Sequence, residues 1–131
     1  KGENVRFMDS LPHYQINGFL KEMDVCFIGW HKNNLYKLGI SANKIYDYLY
    51  AAKPIIHSVE AYNDPIKDAG AGISVPPEAP ESIRDAILEL KNYSANQRIE
   101  MGQKGQEYVL NNFTYKRLAK SYLKEMDNNG E

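Results

Sequence analysis

The sequence predicts an α/β domain with a Rossmann-like, mostly parallel sheet and flanking helices, and three observations carry that expectation. Short apolar runs alternate with segments whose apolar residues recur at helical spacing. One run, Val25–Ile28, is apolar almost without interruption, the pattern of a strand covered on both faces. The last third carries helical patterning throughout. A chain of 131 residues, 43% hydrophobic and 25% charged, suffices for one domain with a core and is too short for two.

Val5–Met8 reads as the first strand, followed by a turn over Ser10–His13 in which Pro12 ends it. Over Tyr14–Met23, the residues Ile16, Phe19, Leu20 and Met23 share one helical face. Val25–Ile28 is the second strand. Gly29–Asn43 is then a polar and aromatic loop of a length that usually signals function. Lys44–Ala52 reads as a helix with Ile45, Tyr48, Leu49 and Ala52 on one face, and Pro54–His57 as the third strand. A short helix over Tyr62–Ala69 is closed by Gly70, and the fourth strand, Gly72–Val75, is stopped by Pro76 and Pro77.

Pro80 sits at the first position of a helix lined by Ile83, Ile87 and Leu90. Ser94 and Gln97 form a capping-box pattern for the next helix, which carries Ile99, Met101, Tyr108 and Val109. Thr114 reads as the cap of a final helix, with Phe113 and Leu118 spaced as a hydrophobic staple and Leu118, Tyr122 and Leu123 along its apolar face. The tail Asp127–Glu131 is expected to be disordered. Four strands with right-handed crossovers are therefore expected, against the roughly five to six of a typical sheet. The chain reads as the later part of such a fold, without its opening βα unit.

Composition excludes several function classes. The net charge is -1, from 16 basic and 17 acidic side chains, and neither half is strongly basic, which argues against nucleic acid as a partner. No apolar run approaches the roughly 18 residues of a membrane span, and nothing reads as a secretory signal. The single cysteine, Cys26, lies in an apolar run and reads as a buried free thiol in a reducing compartment, without a partner base for nucleophilic chemistry. The three histidines lack metal-ligand spacing, so no metal is expected.

Ligands of open parallel sheets bind beyond the carboxyl ends of the strands, here Met8–Ser10, Gly29–Asn43, Ser58–Asn63 and Val75–Pro77. Within the stretch GISANKIYDYLYAAKPII, residues Ser41, Ala42 and Asn43 lead into a helix start, whose free amides and dipole favour an anion. Lys44 adds a mobile positive charge, and Asp47, one turn on, shares its face. A phosphate at the helix start with a carboxylate one turn away suits a nucleotide, the carboxylate accepting from ribose hydroxyls. The competing reading makes Ser41 or Asn43 a plain N-cap and Lys44–Asp47 a surface pair.

These residues carry a resemblance. Asp47, the small and apolar stretch Tyr48–Ala52, Lys53-Pro54, the strand Ile55–His57, the segment Asn63–Ala69 and the run Gly72–Pro77 follow the order and spacing of the C-terminal half of GT-B glycosyltransferases of family 4, the glycosyl transferases group 1 family. Val5–Met8 and Asp24–Ile28 resemble two of its upstream strands, and Gly102–Phe113 with Tyr115–Met126 its last helices. The Ser-x-Asn-Lys start, Ser41–Lys44, most resembles bacterial enzymes that build capsule and O-antigen polysaccharide.

The resemblance implies retaining transfer of a sugar from a nucleotide-diphosphate donor, with UDP as the expected carrier, and no cofactor or metal. It implies that Asp47 holds the ribose and that Lys44 with the amides of Ser41–Asn43 holds the diphosphate, while Asp9 and Ser10 lie near the base. The family's first motif acid falls on Gly39, and Asp9 stands where a Gly is usual; both are departures. The family's upstream Gly-Arg…Lys segment and its N-terminal acceptor domain are not in this sequence, so residues 1–126 are expected to be a donor-domain fragment without turnover. A cytoplasmic location is expected, with contact at the inner face of the bacterial membrane.

Other residues have two readings each. His57 ends a strand and either points into the cleft or is a satisfied structural histidine. Trp30 either stacks on a ligand or tucks against the sheet, and His31 shares its loop. Glu60 and Asp64 either touch sugar hydroxyls or are solvated loop acids. The alternative functions are a GT-B sugar-nucleotide epimerase and a non-enzymatic flavodoxin-like binding module.

Overall fold

The computed structural model describes residues 4–114 together with Ala119 and Lys124. Its sheet has three parallel strands in the order β1 (Cys26–Gly29), β2 (Ile55–Ser58), β3 (Gly72–Val75). Helix α1 (His13–Lys21) precedes β1, α2 (Asn43–Tyr50) and α3 (Pro65–Ala69) form the crossovers, and α4 (Pro80–Asn92) and α5 (Ala95–Asn112) follow β3. The long loop after β1 carries a single 3-10 turn over Asn34–Leu38, capped by the Asn33 side chain.

The middle strand is buried along all four residues, because helices cover both of its faces. On one face Cys26, Ile28 and Ile55 pack with Leu49 of α2, Ile66 of α3 and Val109 of α5. On the other, Ile56 packs with Ala86 and Leu90 of α4. The apolar periodicity of α2 works as expected, with Ile45 and Leu49 almost fully buried. Each such side chain contributes roughly 2 kcal/mol on leaving water. Burial pushes the Cys26 thiol up to about 11, against a smaller opposing pull from Lys53, so it is an inert core residue.

Three expectations are corrected. Val5–Met8 forms no strand, so the described sheet has three strands and not four. A strand needs a neighbour for its backbone groups, and no described strand lies beside this segment, whose Phe7 is 80% exposed. The strand expected over Val25–Ile28, β1, is covered on one face only and not on both: Cys26 and Ile28 are buried, while Phe27 is 49% exposed because α4 packs over β2 and β3. Helix α4 turns Ala86 and Leu90 inward and leaves Ile87 exposed, and Ile99 of α5 is exposed too.

The end signals hold where they rest on local chemistry. Ser94 and Gln97 form the reciprocal capping box, at 3.2 and 2.8 Å. Gly70 closes α3 in the left-handed conformation, φ 64°. That helix starts at Pro65 and not at Tyr62, because the Asp64 side chain caps it by accepting the Lys67 N–H at 3.2 Å. Of the final helix expected after Thr114, only Ala119 and Lys124 are described, both helical; the Phe113–Leu118 staple, the face of Leu118, Tyr122 and Leu123, and the tail from Asp127 fall outside the described residues.

Helix α5 lies close to the turn between α2 and β2 at Gly102. A Cβ on Gly102 would stand 2.0 Å from the carbonyl oxygen of Ala52. In an open helix, replacing Gly by Ala stabilises by about 1 kcal/mol. Here the clash is with backbone, so Gly102→Ala is expected to destabilise by about 1–3 kcal/mol. Thermal unfolding followed by circular dichroism measures this, and an unchanged or higher midpoint would contradict the packing.

Candidate functional site

The carboxyl ends of the three strands are joined by polar side chains gathered around one buried histidine. His57 on β2 is fully buried. Its Nε2 lies 2.9 Å from Nε1 of Trp30, the residue after β1, and its Nδ1 lies 2.8 Å from Oδ1 of Asp64. An indole N–H can only donate, so Nε2 accepts and the proton sits on Nδ1, which donates to Asp64. The other carboxylate oxygen of Asp64 accepts the hydroxyl of Ser74 on β3. Trp30 also packs edge-on against Tyr36, with ring centroids 5.2 Å apart. Trp30 therefore tucks against the sheet, and His57 is a satisfied structural residue.

The start of α2 has the opposite character. Ala42 is its N-cap and offers no side-chain bond, so neither Ser41 nor Asn43 caps the helix. Asn43 is already the first helical residue, and the Ser41 hydroxyl lies 3.5 Å from that of Tyr46. No acid occupies the first turn. The first amides of α2 thus lack a side-chain acceptor, and an uncapped helix start of this kind attracts an anion. Lys44 is exposed and Asp47 half-buried, and no hydrogen bond or ion pair engages either side chain with another described residue. The surface-pair reading of Lys44 and Asp47 is therefore set aside.

Gly39 has φ 116°, a conformation side chains disfavour, and a Cβ there would stand 3.2 Å from Oδ1 of Asn63. Asn63 holds this loop with two bonds, accepting the Ile40 N–H at 2.6 Å and donating to the Ile40 carbonyl at 2.9 Å. The Tyr62 N–H adds a third, to the Tyr36 carbonyl at 3.1 Å. The loop entering α2 is thereby pinned to the loop leaving β2. Asp9 and Ser10 stand exposed ahead of α1, and no hydrogen bond or ion pair ties them to the α2 start.

Between the ends of β2 and β3 lies a cleft of about 590 Å³, lined among others by Glu60, Tyr62, Asp64, Ser74 and Pro76. Its position matches the rule for ligand sites of parallel sheets. The loop after β3 reaches across to that after β1: Glu78 accepts the Lys32 N–H at 3.3 Å and lies 3.4 Å from the His31 ring. Lys32 and Glu60 form an exposed pair at 3.7 Å, which contributes little to stability. Among the described residues, no group of three or more His, Cys, Asp or Glu could hold a metal, and no helix is long and apolar enough to cross a membrane.

Sequence reasoning missed Asn63 as a clamp and Ser74 as a partner. The local signal, an Asx residue directly before Pro65, marks only Asp64 as a helix cap and points to neither Asn63 nor Ser74. The partners of Asn63 and Ser74 lie 23 and 10 residues away, and only the fold brings them together.

Two measurements test the buried cluster. His57→Phe orphans the Trp30 N–H and removes one of the two hydrogen bonds on Asp64 Oδ1, and is expected to cost roughly 1–3 kcal/mol in urea unfolding. A loss below about 1 kcal/mol would contradict the hydrogen bonding. For Asp64, burial raises the carboxyl pKa, but the bonds from His57, Ser74 and the Lys67 amide outweigh it and hold the value below 3.8. A depressed folded value contributes stability that is complete above the unfolded value and lost as pH falls through the folded one. Wild type should therefore lose stability below about pH 4 more steeply than Asp64→Asn, and parallel acid-unfolding curves would refute the assignment.

A scan against protein-family models finds no matching family, and searches of curated proteins and of solved structures find no match to this chain.

Proposed function

We propose that this chain is the donor-binding part of a retaining GT-B glycosyltransferase of the glycosyl transferases group 1 family, which moves a sugar from a UDP-sugar to an acceptor in bacterial capsule or O-antigen synthesis. The observation that carries the reading is the uncapped start of α2, with Lys44 and Asp47 on its first two turns, neither side chain hydrogen-bonded or ion-paired among the described residues. Those are the groups a diphosphate and a ribose need: amides and a cation for the one, a hydrogen-bond acceptor for the other. The resemblance of Asp47–Pro77 to the family's motif order adds the reaction class. In this reading the full enzyme also has an acceptor domain, works at the cytoplasmic side of the membrane, and this stretch alone has no turnover.

The chemistry follows from charge. Transfer leaves negative charge on the departing diphosphate, and the α2 amides with Lys44 stabilise it as it develops. The acceptor hydroxyl and the donor are held in register between two domains, so positioning supplies much of the rest. Asp47 orients the donor through the ribose and takes no part in bond breaking. Gly39 offers no side chain, so the acid that the motif places there plays no part in this chain.

Calorimetric titration of the chain with UDP tests the reading. Binding is expected, and Asp47→Ala should weaken it about tenfold or more. In the complete enzyme, Lys44→Ala should lower turnover by about 10²-fold, equivalent to about 2.7 kcal/mol of transition-state stabilisation. Absence of UDP binding, or a turnover change under about threefold, would count against it.

A further inference from the structure

We propose that the hydrogen bond between Trp30 and His57 is a pH-sensitive latch. A proton taken up from water at Nε2 of His57 releases the indole, and with it the loop from His31 to Leu38 that leads toward the start of α2. The latch works in the free chain, whatever ligand the α2 start holds.

The bond depends on one lone pair. The indole Nε1–H can only donate, and it lies 2.9 Å from Nε2, so the bond exists only while Nε2 is unprotonated. On the far side of the ring, Nδ1–H donates to Asp64 at 2.8 Å, and that bond survives when Nε2 gains a proton. Protonation thus sets two N–H groups against each other at one end of the ring and leaves the other end as it was. The imidazole is fully buried on the middle strand, whereas Trp30 is half-buried at the edge of the sheet, so the indole is the group that leaves.

A buried cation needs a counter-charge, and Asp64 already touches the ring. Burial raises the Asp64 pKa, but the bonds from His57, Ser74 and the Lys67 amide outweigh it and hold the value below 3.8. Asp64 is therefore ionised throughout the range in which imidazoles titrate, about pH 5 to 8. The other neighbours bring no competing charge to the ring. Trp30 follows β1, Ser74 comes from β3 by way of Asp64, and α2 and α5 present the apolar Leu49 and Val109 to this side of the sheet. Lys67 and Asp68 of α3 stand further out with Glu60, around the cleft beyond Asp64.

Trp30 is also the aromatic anchor of its loop. The 3-10 turn Asn34–Leu38 has no buried residue, and Leu35 and Leu38 are exposed. Tyr36 ties the turn to the domain by packing edge-on against Trp30. The remaining ties are the Tyr62 N–H on the Tyr36 carbonyl and the exposed contacts of His31 and Lys32 with Glu78 and Glu60. Exposed ion pairs hold a loop weakly. A turn with so little buried surface opens locally once its anchor leaves.

The chain has one tryptophan, so every indole signal is that of Trp30. Between about pH 7.5 and about pH 5, protection of the Trp30 indole N–H against hydrogen exchange, corrected for the intrinsic rate, should fall about tenfold or more. Its fluorescence should shift to the red, and amide resonances of Asn34–Leu38 should move with the same midpoint, while far-UV circular dichroism stays constant. In His57→Gln, whose amide does not titrate, these changes should vanish. In Trp30→Phe, which removes the donor, the Asn34–Leu38 resonances should stand near their acid positions already at neutral pH. His31→Gln should respond like wild type, which excludes the His31–Glu78 contact as the source. Constant indole protection down to about pH 5, the same response in His57→Gln, or a loss of circular dichroism in step with the indole signal would overturn the latch.

Discussion

The hydrogen bond from Trp30 to His57 is the interaction on which the upper end of this domain depends. It links the residue after β1 to the middle strand, and the far side of the same imidazole continues through Asp64 to α3 and through Ser74 to β3. All three strands and the second crossover helix meet in one chain of four side chains. A buried imidazole is tolerated only when both nitrogens are satisfied, and here both are. The donor-only indole also dictates the tautomer, so the cluster has one self-consistent arrangement of protons.

That cluster divides the molecule into two regimes. Away from the carboxyl ends the sheet is held by apolar contact, with Ile55, Leu49 and Ile66 in one layer and Ile56, Ala86 and Leu90 in the other. There the backbone approaches so closely that Gly102 leaves no room for a methyl group. At the carboxyl ends, polar bonds take over and set the loops. Asn63 and Tyr62 fasten the entry of α2 to the exit of β2. Three hydrogen bonds thus tie the loop beside the uncapped start of α2 to the loop beyond β2.

Much of this was legible from residue order. The strands β1, β2 and β3, the capping box of Ser94 and Gln97, the glycine that ends α3 and the inward face of α2 all follow from local periodicity and local hydrogen bonding. The α2 start was legible as a candidate anion site, although its cap residue, Ala42, was not. The failures share one cause. Val5–Met8 has the composition of a strand, but a strand exists only beside another one. Phe27 has the composition of a core residue, but α4 covers β2 and β3.

By itself, the sequence determined the α/β class, the order of the elements and the chemistry available at the strand ends, because alternation, capping and turn signals act over a few residues. The tertiary structure decided which polar residues are spent on the fold and which are left unengaged. His57 and Trp30 are consumed by each other across 27 residues, while no hydrogen bond or ion pair engages the Lys44 or Asp47 side chain among the described residues. Nothing local distinguishes these cases, because a side chain's freedom depends on what the folded chain brings against it.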